Sequence, residues 1–588
     1  YFDYNYLLVL TAISGVLLYF SNLYNKLWKY ASIAELRSLI KVSVFINTFF
    51  VIYVFFFQLS FPRSILLING ILDVFFLGGL RFSLRLLKDY LHSKNRIGAK
   101  TNVLIVGAGD AAEMLIREMK KHPELNKEIV ALVDDDLSKH GLEIHGVKIR
   151  GDRHDIPKLI DKYNVNEVLI AIPSASGSEV KEIYELSKNE EVEINIVPGV
   201  YEILNGDVSL NQIREVKVED LLRRDQVKLD DSGISSYIKG KTVLVTGGAG
   251  SIGSELCRQV ARFKPEKLII FDINENNTYF LELELKEEFE DIEIIPEIGS
   301  VRDKEKLKQS FEKFKPDVVF HAAAHKHVPL MENNPEEAVK NNVLGTKNIA
   351  EVSADFNIDR FVLVSTDKAV NPTNVMGATK RAAEMIVQRM NSVNGTKFMA
   401  VRFGNVLGSR GSVIPIFKRQ IKEGGPVTVT HPEVTRYFMT IPEAAQLVIQ
   451  AGSLGDGGEV FVLDMGESVK IMELAEDLIE LSGFEVGKDI EIEIVGLRPG
   501  EKLYEELLHE NEDNLATDHE RIFITNLNSC DWNKMLNSLD NLEALITEAN
   551  SEKIVEELVK IVGTYNPNRE KAEEVIEKQI TEAAASSE

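Results

Sequence analysis

Cysteine, tryptophan and positive charge are all scarce in this chain of 588 residues. Two cysteines, Cys257 and Cys530, are too few for a disulfide framework, which favours a reducing, cytosolic setting. We expect Cys257 to pack as a small apolar residue on a helix. Lys and Arg number 67 against 91 Asp and Glu, so the net charge is −24 and no basic excess can neutralise phosphates. The composition therefore argues against a nucleic-acid partner.

Long apolar runs, in contrast, are plentiful before residue 90. They occupy residues 4–20, 39–59 and 65–80. A spanning helix needs about 20 apolar residues, and Trp28 and neighbouring tyrosines resemble an interfacial belt. The sequence therefore favours three membrane spans over three buried core helices. In the third run, a polar contact between helices is a better explanation of Asn69 and Asp73 than a functional site.

Basic residues set the expected orientation of these spans. Lys and Arg concentrate in residues 21–38 and 81–100, and such loops face the cytoplasm. The visible N-terminus is then outside. Because the chain also begins with Tyr1 rather than Met, we expect one more helix upstream.

A first nucleotide-like pattern follows the apolar region. The predicted strand 101–106 runs into residues 107–112, which read G-x-G-x-x-A before a helix. The next strand, 128–133, ends in three aspartates, and strands at 167–172 and 193–197 continue the alternation. This parallel α/β domain either binds a dinucleotide or is a degenerate copy used for packing or regulation, and a lone pattern of this kind favours the second.

A second, stronger pattern begins at strand 241–245. It enters residues 246–253, where Gly247, Gly250 and Gly253 form G-x-x-G-x-x-G and allow backbone N–H groups to approach a pyrophosphate at a helix N-terminus. The next strand, 267–271, ends at Asp272, whose carboxylate can accept ribose hydroxyls and repels a 2′-phosphate. The pattern predicts NAD rather than NADP.

Three reactive side chains follow a later strand of the same domain. Strand 361–365 ends at Thr366, Asp367 and Lys368, and a helical Lys380 comes after them. Ligands of open α/β sheets bind at the carboxyl ends of the strands. This placement favours a catalytic group over a structural salt bridge.

Six segments in this order resemble one enzyme family. They are residues 246–253, 321–329 (HAAAHKHVP), 365–370 (STDKAV), 374–380 (NVMGATK), 402–412 (RFGNVLGSRGS) and 497–502 (LRPGEK). Together they resemble the extended short-chain dehydrogenase/reductases, and more narrowly the membrane-bound bacterial UDP-N-acetylglucosamine 4,6-dehydratases of glycan and polysaccharide biosynthesis. The resemblance covers nearly the whole chain.

The resemblance implies a redox-neutral lyase with a tightly bound, recycled NAD. Hydride leaves sugar C4, a base removes the C5 proton, water leaves from C6, and the hydride returns to C6. Asp367 is then the acid for the C6 hydroxyl and Lys368 the C5 base, which requires a depressed pKa. Thr366 hydrogen-bonds O4, and Lys380 binds the nicotinamide ribose and favours loss of the O4 proton.

Met376 is a departure from the usual pattern, because ordinary relatives carry Tyr there in Tyr-x-x-x-Lys. A thioether cannot transfer the O4 proton, so Asp367, Thr366 or a water held by Lys380 must relay it. By family analogy Met376 favours retention at C5. A second departure is Ser300, which stands where relatives have Asp in G-D-V-R-D and can still form a hydrogen bond.

The predicted site residues form two sets, and no metal is expected. The cofactor set is Thr246, Gly247, Gly250, Ser251, Ile252, Gly253, Asp272, Ser300, Val301, Ala322, Ala323, Ala324 and Lys380. The set for UDP-N-acetylglucosamine is Lys326, Asn405, Ser412, Val413, Lys418, Arg436, Arg498 and Glu501. Guanidinium groups suit the diphosphate because they bind it bidentately.

The expected fold is α/β, with transmembrane helices before two Rossmann-like doubly wound domains, the second an extended short-chain dehydrogenase/reductase fold. The boundaries are 1–95 for the membrane region, 96–205 for the first domain, 206–240 for a linker, 241–549 for the catalytic domain with its substrate part at 400–525, and 550–588 for an acidic helix and tail. The resemblance implies a multi-pass protein of the bacterial inner membrane, with the lipid bilayer as a partner, cytoplasmic catalytic domains, and a homo-oligomer of two or more copies.

Two alternatives stay open. A UDP-sugar 4-epimerase could share the fold, but it needs no acid at C6 and no base at C5, so the Asp367–Lys368 pair counts against it. A membrane scaffold or sensor could merely bind nucleotide through its two α/β domains.

Overall fold

The computed structural model describes most of the chain after residue 99. The described residues are 41, 44–45, 47–49, 51–52, 55–56, 100–188, 192–197, 213–222, 227–391, 395–508, 515–525, 532–548 and 550–567. The chain divides into two compact units, Tyr1–Thr101 with Lys121–Glu128, and Asn102–Lys120 with Ile129–Glu588.

Few residues of the first unit are described. Those between 41 and 56 are helical, and Phe55 and Phe56 are exposed. No helix of the described residues combines the length and apolar character that a membrane crossing requires. The runs 4–20 and 65–80, the basic loop 21–38, Asn69 and Asp73 all lie outside the described residues, as does much of 39–59. The spans and their orientation stay predictions.

The strands of the second unit alternate with helices, as the sequence predicts for α/β domains. In chain order they are β1 Thr101–Val106, β2 Lys127–Val133, β3 Glu143–Ile144, β4 Val147–Lys148, β5 Glu167–Ile170, β6 Glu193–Ile196, β7 Arg214–Glu215, β8 Thr242–Thr246, β9 Lys267–Asp272, β10 Glu293–Ile298, β11 Val318–His321, β12 Arg360–Val364, β13 Lys397–Arg402, β14 Asn405–Val406, β15 Val427–Val429, β16 Thr435–Met439, β17 Val460–Leu463, β18 Ser468–Lys470, β19 Ile492–Ile494, β20 Leu515–Ala516 and β21 Ile522–Thr525.

Helices fill the connections between these strands. The α-helices are Asp110–Lys121, Ile156–Tyr163, Gly177–Ser187, Val218–Leu221, Asp231–Ile238, Ser251–Arg262, Glu275–Glu288, Lys304–Phe314, Val328–Asn333, Pro335–Ala338, Gly345–Asp355, Val375–Met390, Val413–Lys422, Ile441–Leu454, Ile471–Leu481, Trp532–Thr547 and Ser551–Ile561. A π-helical stretch, Val339–Leu344, precedes Gly345–Asp355.

The first α/β sheet has the order β2-β1-β5-β6-β7. Strands β1, β5 and β6 are parallel, and β7 is antiparallel to β6. The central strands are buried on both faces, which explains their continuous apolar sequences. The predicted strand at 167–172 ends at Ile170, where its pairing with Val106 ends.

The larger sheet has the order β10-β9-β8-β11-β12-β13-β17-β21-β20. Strands β10 through β17 are parallel, and β21 and β20 add antiparallel pairs at one edge. The winding reverses between β8 and β11, so a crevice opens at their carboxyl ends. Apolar clusters cover both faces of the sheet. The predicted α/β class and Rossmann-like sheets are confirmed, and the C-terminal half has the extended short-chain dehydrogenase/reductase fold.

Part of the segment that we predicted as a linker, 206–240, belongs to the folded domains. Strand β7 extends the first sheet, and helix Asp231–Ile238 packs on the catalytic domain, where the Tyr237 hydroxyl donates to the carbonyl of Ile449 at 2.6 Å. Cys257 is buried on helix Ser251–Arg262, as expected, and burial raises the pKa of its thiol.

A buried ion pair braces the helix that carries Met376 and Lys380. Glu384, on helix Val375–Met390, accepts from Arg402 of β13 through two contacts, Nε to Oε1 at 2.8 Å and Nη2 to Oε2 at 2.7 Å. The Ser365 hydroxyl donates to Glu384 Oε1 at 2.6 Å. Arg402 and Glu384 are both fully buried. This pair fixes the helix against the end of β12, where the reactive side chains begin.

We predict that Arg402→Met destabilises the catalytic domain by about 3–5 kcal/mol, because Glu384 keeps a buried charge without its bidentate partner. The double variant Arg402→Met/Glu384→Gln should recover part of the loss. Thermal unfolding of the purified proteins measures both, and equal melting temperatures for wild type and Arg402→Met would contradict the prediction.

Candidate active site

A glycine-rich loop joins β8 to helix Ser251–Arg262 and lies against β11. Gly247 has a φ of +64°, and a Cβ there would lie 2.6 Å from the backbone N of Ala323. A Cβ on Gly253 would lie 2.0 Å from the carbonyl oxygen of Gly247. Glycine is therefore required at both positions for the loop to close over the strand ends.

The acid at the end of β9 is oriented by backbone donors. Asp272 Oδ2 accepts from the N–H of Ala249 at 2.9 Å, and Oδ1 accepts from the N–H of Asn274 at 2.7 Å. The carboxylate lies beside the glycine loop and lines the same cleft. A tight loop with a free helix N-terminus and an adjacent acid fits the pyrophosphate and ribose of NAD.

A cleft of about 820 Å³ runs from this loop along the carboxyl ends of the strands. Most of the predicted site residues line it together: Gly247, Gly250, Ser251, Ile252, Gly253, Asp272, Ala322, Ala324, Lys326, Thr366, Lys368, Met376, Lys380, Asn405, Ser412, Val413, Arg436, Arg498 and Glu501. The structure thus brings both predicted sets into one cavity.

Several predicted residues lie outside the cleft lining. Thr246 is buried behind it, with Oγ1 2.6 Å from His321 Nδ1. Val301 is buried, and its Cγ2 faces Gly345. Ser300 Oγ accepts from the N–H of Arg302 at 3.3 Å, and the contacts predicted for Ser300 and Ala323 stay predictions. The structure places Lys418 elsewhere, where it pairs with Glu219 at 2.9 Å.

The reactive side chains form one hydrogen-bonded group at the end of β12. The Thr366 hydroxyl donates to Asp367 Oδ1 at 2.8 Å, and Lys368 Nζ donates to the same oxygen at 3.0 Å. Lys368 Nζ also donates to Asn405 Oδ1 at 3.2 Å. Glu505 Oε1 lies 3.4 Å from that nitrogen. Asp367 is fully buried, whereas Thr366 and Lys368 line the cleft.

The pKa of Lys368 is raised, opposite to the expected depression. Burial acts to lower this pKa, but the carboxylates of Asp367 and Glu505 together outweigh burial and the repulsion from Arg436. The resting side chain is therefore an ammonium. The sequence could not reveal this, because Glu505 comes from a distant segment.

The pKa of Lys380, in contrast, is lowered. Burial lowers its pKa to about 8, against an opposing effect of Glu384 one turn along the helix. Its Nζ donates to the carbonyl of Val364 at 2.8 Å. Met376 lies on the same helix and lines the cleft, almost fully buried. Between pH 7 and 9 this lysine changes from mostly charged to mostly neutral.

Charged groups gather at the substrate end of the cleft. Arg436 is nearly buried, and its Nη2 pairs with Glu501 Oε1 at 3.0 Å while its Nε lies 3.7 Å from Glu505 Oε1. Arg498 is exposed and Lys326 Nζ donates to Ser409 Oγ at 3.2 Å. Burial lowers the pKa of Lys326.

The sequence did not identify two further candidate residues, Glu505 and His321. Glu505 follows the segment LRPGEK and contacts both Lys368 and Arg436. The sequence did not identify it, because Glu505 and Glu506 are adjacent and nothing in the sequence shows which of them faces the site. His321 is buried between Thr246 Oγ1 at 2.6 Å and Thr346 Oγ1 at 2.9 Å. Burial lowers the pKa of His321 to about 3, so the ring is neutral and ties β8 to the neighbouring helix.

Comparisons with protein families match both parts of the chain. A model described as a polysaccharide biosynthesis protein matches residues 243–527. A model described as a CoA-binding domain matches residues 19–198.

Three curated relatives are similar over long stretches. The capsular polysaccharide biosynthesis protein CapD of Staphylococcus aureus is 49% identical over 510 residues, which cover 86% of this chain and 84% of that protein. The probable polysaccharide biosynthesis protein EpsC of Bacillus subtilis is 47% identical over 545 residues, 92% of this chain and 90% of that protein. A UDP-N-acetylglucosamine 4,6-dehydratase (inverting) of Campylobacter jejuni is 34% identical over 289 residues, 48% of this chain and 82% of that protein.

Fold, cleft and relatives define an enzyme of the extended short-chain dehydrogenase/reductase superfamily of nucleotide-sugar epimerases and dehydratases. Within it, the chain belongs to the CapD/EpsC-like family of polysaccharide biosynthesis proteins. It is a nucleotide-sugar-modifying enzyme of capsular and polysaccharide biosynthesis, related both to UDP-N-acetylglucosamine 4,6-dehydratases and to UDP-glucose 4-epimerases.

The glycine loop generates a first prediction for this site. Gly253→Ala should weaken NAD binding about ten- to hundredfold, because roughly 1–3 kcal/mol of overpacking strain falls on the loop. Gly563→Ala is the control, since a Cβ there meets nothing within 4 Å. Titration of NAD into cofactor-stripped protein measures the affinities. Unchanged binding in Gly253→Ala would contradict the assignment of the glycine-rich loop as the NAD site.

A second prediction concerns Lys380. In cofactor-free protein, its acylation by an amine reagent should rise with pH around a midpoint near 8, since only the neutral amine reacts and burial lowers its pKa to about 8. Mass spectrometry of the Lys380 peptide follows the labelling, with the exposed Lys488 as internal reference. A midpoint above about 10, the ordinary lysine range, would show that burial does not govern this amine.

Proposed function

We propose that the protein is an NAD-dependent UDP-N-acetylglucosamine 4,6-dehydratase that makes a UDP-linked 4-keto-6-deoxy amino sugar with retention at C5. The observation that carries the proposal is the hydrogen-bonded group of Thr366, Asp367 and Lys368 in the cleft. A 4-epimerase must also remove the O4 proton, but it needs no acid at C6 and no base at C5, so the Asp367–Lys368 pair favours dehydration over epimerisation. Relatives of similar identity are named as a dehydratase in Campylobacter jejuni and as UDP-glucose 4-epimerases in Rickettsia, so the choice rests on these side chains.

The residues around the glycine loop fit NAD. Gly247, Gly250 and Gly253 would hold the pyrophosphate, Asp272 the adenosine ribose, and Lys380 the nicotinamide ribose. The chemistry that NAD supplies when bound is hydride exchange with the sugar.

Thr366 and Asp367 can handle the O4 proton that Met376 cannot take. The Thr366 hydroxyl already donates to Asp367 Oδ1 at 2.8 Å. As O4 loses its proton to Thr366 Oγ1, the Thr366 proton moves to Asp367, so one O–H bond breaks and one forms at each step. Asp367 then gives this proton to the C6 hydroxyl, which leaves as water. The missing phenol is thereby replaced by a hydroxyl and a carboxylate.

Lys368 is the group that removes the C5 proton, which the 4-keto group makes acidic. The same amine can return a proton to the same face of C5, and retention follows from a single base acting on one face. The Campylobacter jejuni relative is named inverting, so retention here rests on Met376 and on this one-base geometry.

The substrate end of the cleft fits a nucleoside diphosphate. Arg436 and Arg498 would bind the diphosphate oxygens, and Glu501 the uridine ribose. Ser412 and Val413 would lie at the UDP end and Asn405 at the sugar or a phosphate, with Lys326 as a further substrate contact. Arg436 is nearly buried, which strengthens its charge–charge contact with phosphate because little water screens it.

We also propose a multi-pass protein of the bacterial inner membrane, with its catalytic domain in the cytoplasm, that acts as a homo-oligomer. The apolar runs before residue 90 and their basic flanks support the location. The first α/β domain is proposed to serve packing or regulation rather than dinucleotide binding. Helix Asp110–Lys121 starts with acidic residues in its first turn, which disfavours a pyrophosphate there.

Mass spectrometry of purified enzyme with UDP-N-acetylglucosamine tests the proposal. Wild type should yield a product lighter by one water, and Lys368→Met and Asp367→Asn should lower the rate about 10²–10⁴-fold, the usual contribution of an acid or base. Lys397→Met is the control, since Lys397 pairs with the exposed Asp456 at the protein surface. A product of unchanged mass would indicate epimerisation and end the proposal.

A further inference from the structure

Glu505 is a buried carboxylate beside the group that would do the chemistry. Its side chain is 3% exposed, and Oε1 lies 3.4 Å from Lys368 Nζ and 3.7 Å from Arg436 Nε. Among the described residues, Oε2 is buried without a hydrogen-bond partner. A buried, unsatisfied carboxylate oxygen is costly, and no binding role assigned above uses it.

The proton transfers that Lys368 must make suggest a role for the Glu505 carboxylate. Lys368 has three acceptors around its ammonium: Asp367 Oδ1 at 3.0 Å, Asn405 Oδ1 at 3.2 Å and Glu505 Oε1 at 3.4 Å. To act as a base at C5, the ammonium must first lose one proton. The Asn405 amide cannot accept it, and Asp367 is occupied by the O4 proton. Within the described part of the chain, Glu505 is the other carboxylate that contacts Lys368.

We propose that Glu505 is the proton acceptor that converts the Lys368 ammonium into the amine that acts at C5. The inference rests on the proposed function and adds a positioning residue that works through Lys368. One Nζ–H bond breaks with its electron pair left on nitrogen, and one O–H bond forms on Glu505. The pair goes from opposite charges to two neutral groups. After Lys368 has taken the C5 proton and returned a proton to C5, Glu505 gives its own proton back.

The neighbouring charges suggest when the transfer occurs. The groups that face this pair are Asp367, Arg436 and, through Arg436, Glu501. Arg436 stabilises the Glu505 carboxylate while the site is free. A substrate diphosphate competes for Arg436 and weakens its contact with Glu505, which leaves the Lys368 ammonium as the cation nearest this carboxylate.

A purely electrostatic role for Glu505 predicts the opposite effect of its removal. A carboxylate that only holds the ammonium keeps Lys368 charged, and its loss would make the neutral amine more abundant near pH 7. Such a role predicts faster C5 chemistry in Glu505→Gln. Proton acceptance predicts slower chemistry that recovers as pH rises, because hydroxide then takes the proton.

The experiment is the rate of deuterium incorporation at C5 during conversion of UDP-N-acetylglucosamine in deuterated water, followed by proton NMR. During this conversion Asp367 carries the O4 proton, so the Lys368 ammonium must lose its proton to another group. In Glu505→Gln we expect exchange near pH 7 to fall about 100-fold or more, and to rise with pH where the wild-type rate is flat. Glu505→Asp, which moves the acceptor by one methylene, should be slowed about tenfold and keep the wild-type pH profile. Glu506→Gln is the matched control, since Glu506 is the adjacent surface carboxylate and pairs with Lys502.

Wild-type or faster exchange in Glu505→Gln would overturn the inference. If that variant fails to fold, Glu505→Asp decides, and exchange at the wild-type rate overturns it equally. Failure of the proposed function is visible separately, since wild type would then form no product lighter by one water, whatever the variants do.

Discussion

The ammonium of Lys368 lies between two buried carboxylates, Asp367 and Glu505, and the account of this enzyme depends on that arrangement. Burial acts to lower the pKa of Lys368, but the two carboxylates outweigh burial and raise it. The site therefore rests as an ion cluster and must redistribute protons before it can act. Arg436 connects the cluster to the substrate end of the cleft, so the charge on a bound diphosphate can influence the base.

The fold fixes this cluster through rigid elements. Strand β12 delivers Thr366, Asp367 and Lys368 to the carboxyl edge of a mostly parallel sheet. The buried Arg402–Glu384 pair and the Ser365 hydroxyl anchor helix Val375–Met390 against the same edge, and Lys380 of this helix lines the same cleft. Lys368, whose pKa is raised, and Lys380, whose pKa is lowered, thus line one cleft. Their different surroundings suit them to different roles.

The sequence was sufficient to predict the features of the site that depend on local sequence pattern. Gly247 and Gly253 predicted the loop because only glycine permits its backbone approach, and Asp272 and Asp367 were identifiable as strand-end acids. It was insufficient where distant segments meet. Glu505 lies well over a hundred residues from Lys368, so neither its contact nor the raised pKa could be read from spacing. Lys418 was misplaced for the same reason, since its partner Glu219 belongs to the segment before the catalytic domain.

Proton NMR of the sugar product formed in deuterated water tests the central claim most directly. We predict a C6 methyl group, a 4-keto group, deuterium at C5 and the original configuration at C5, because one amine removes and returns the proton on one face. A product that keeps its C6 hydroxymethyl group and its C5 proton, changed only at C4, would contradict the claim that Asp367 and Lys368 carry out dehydration.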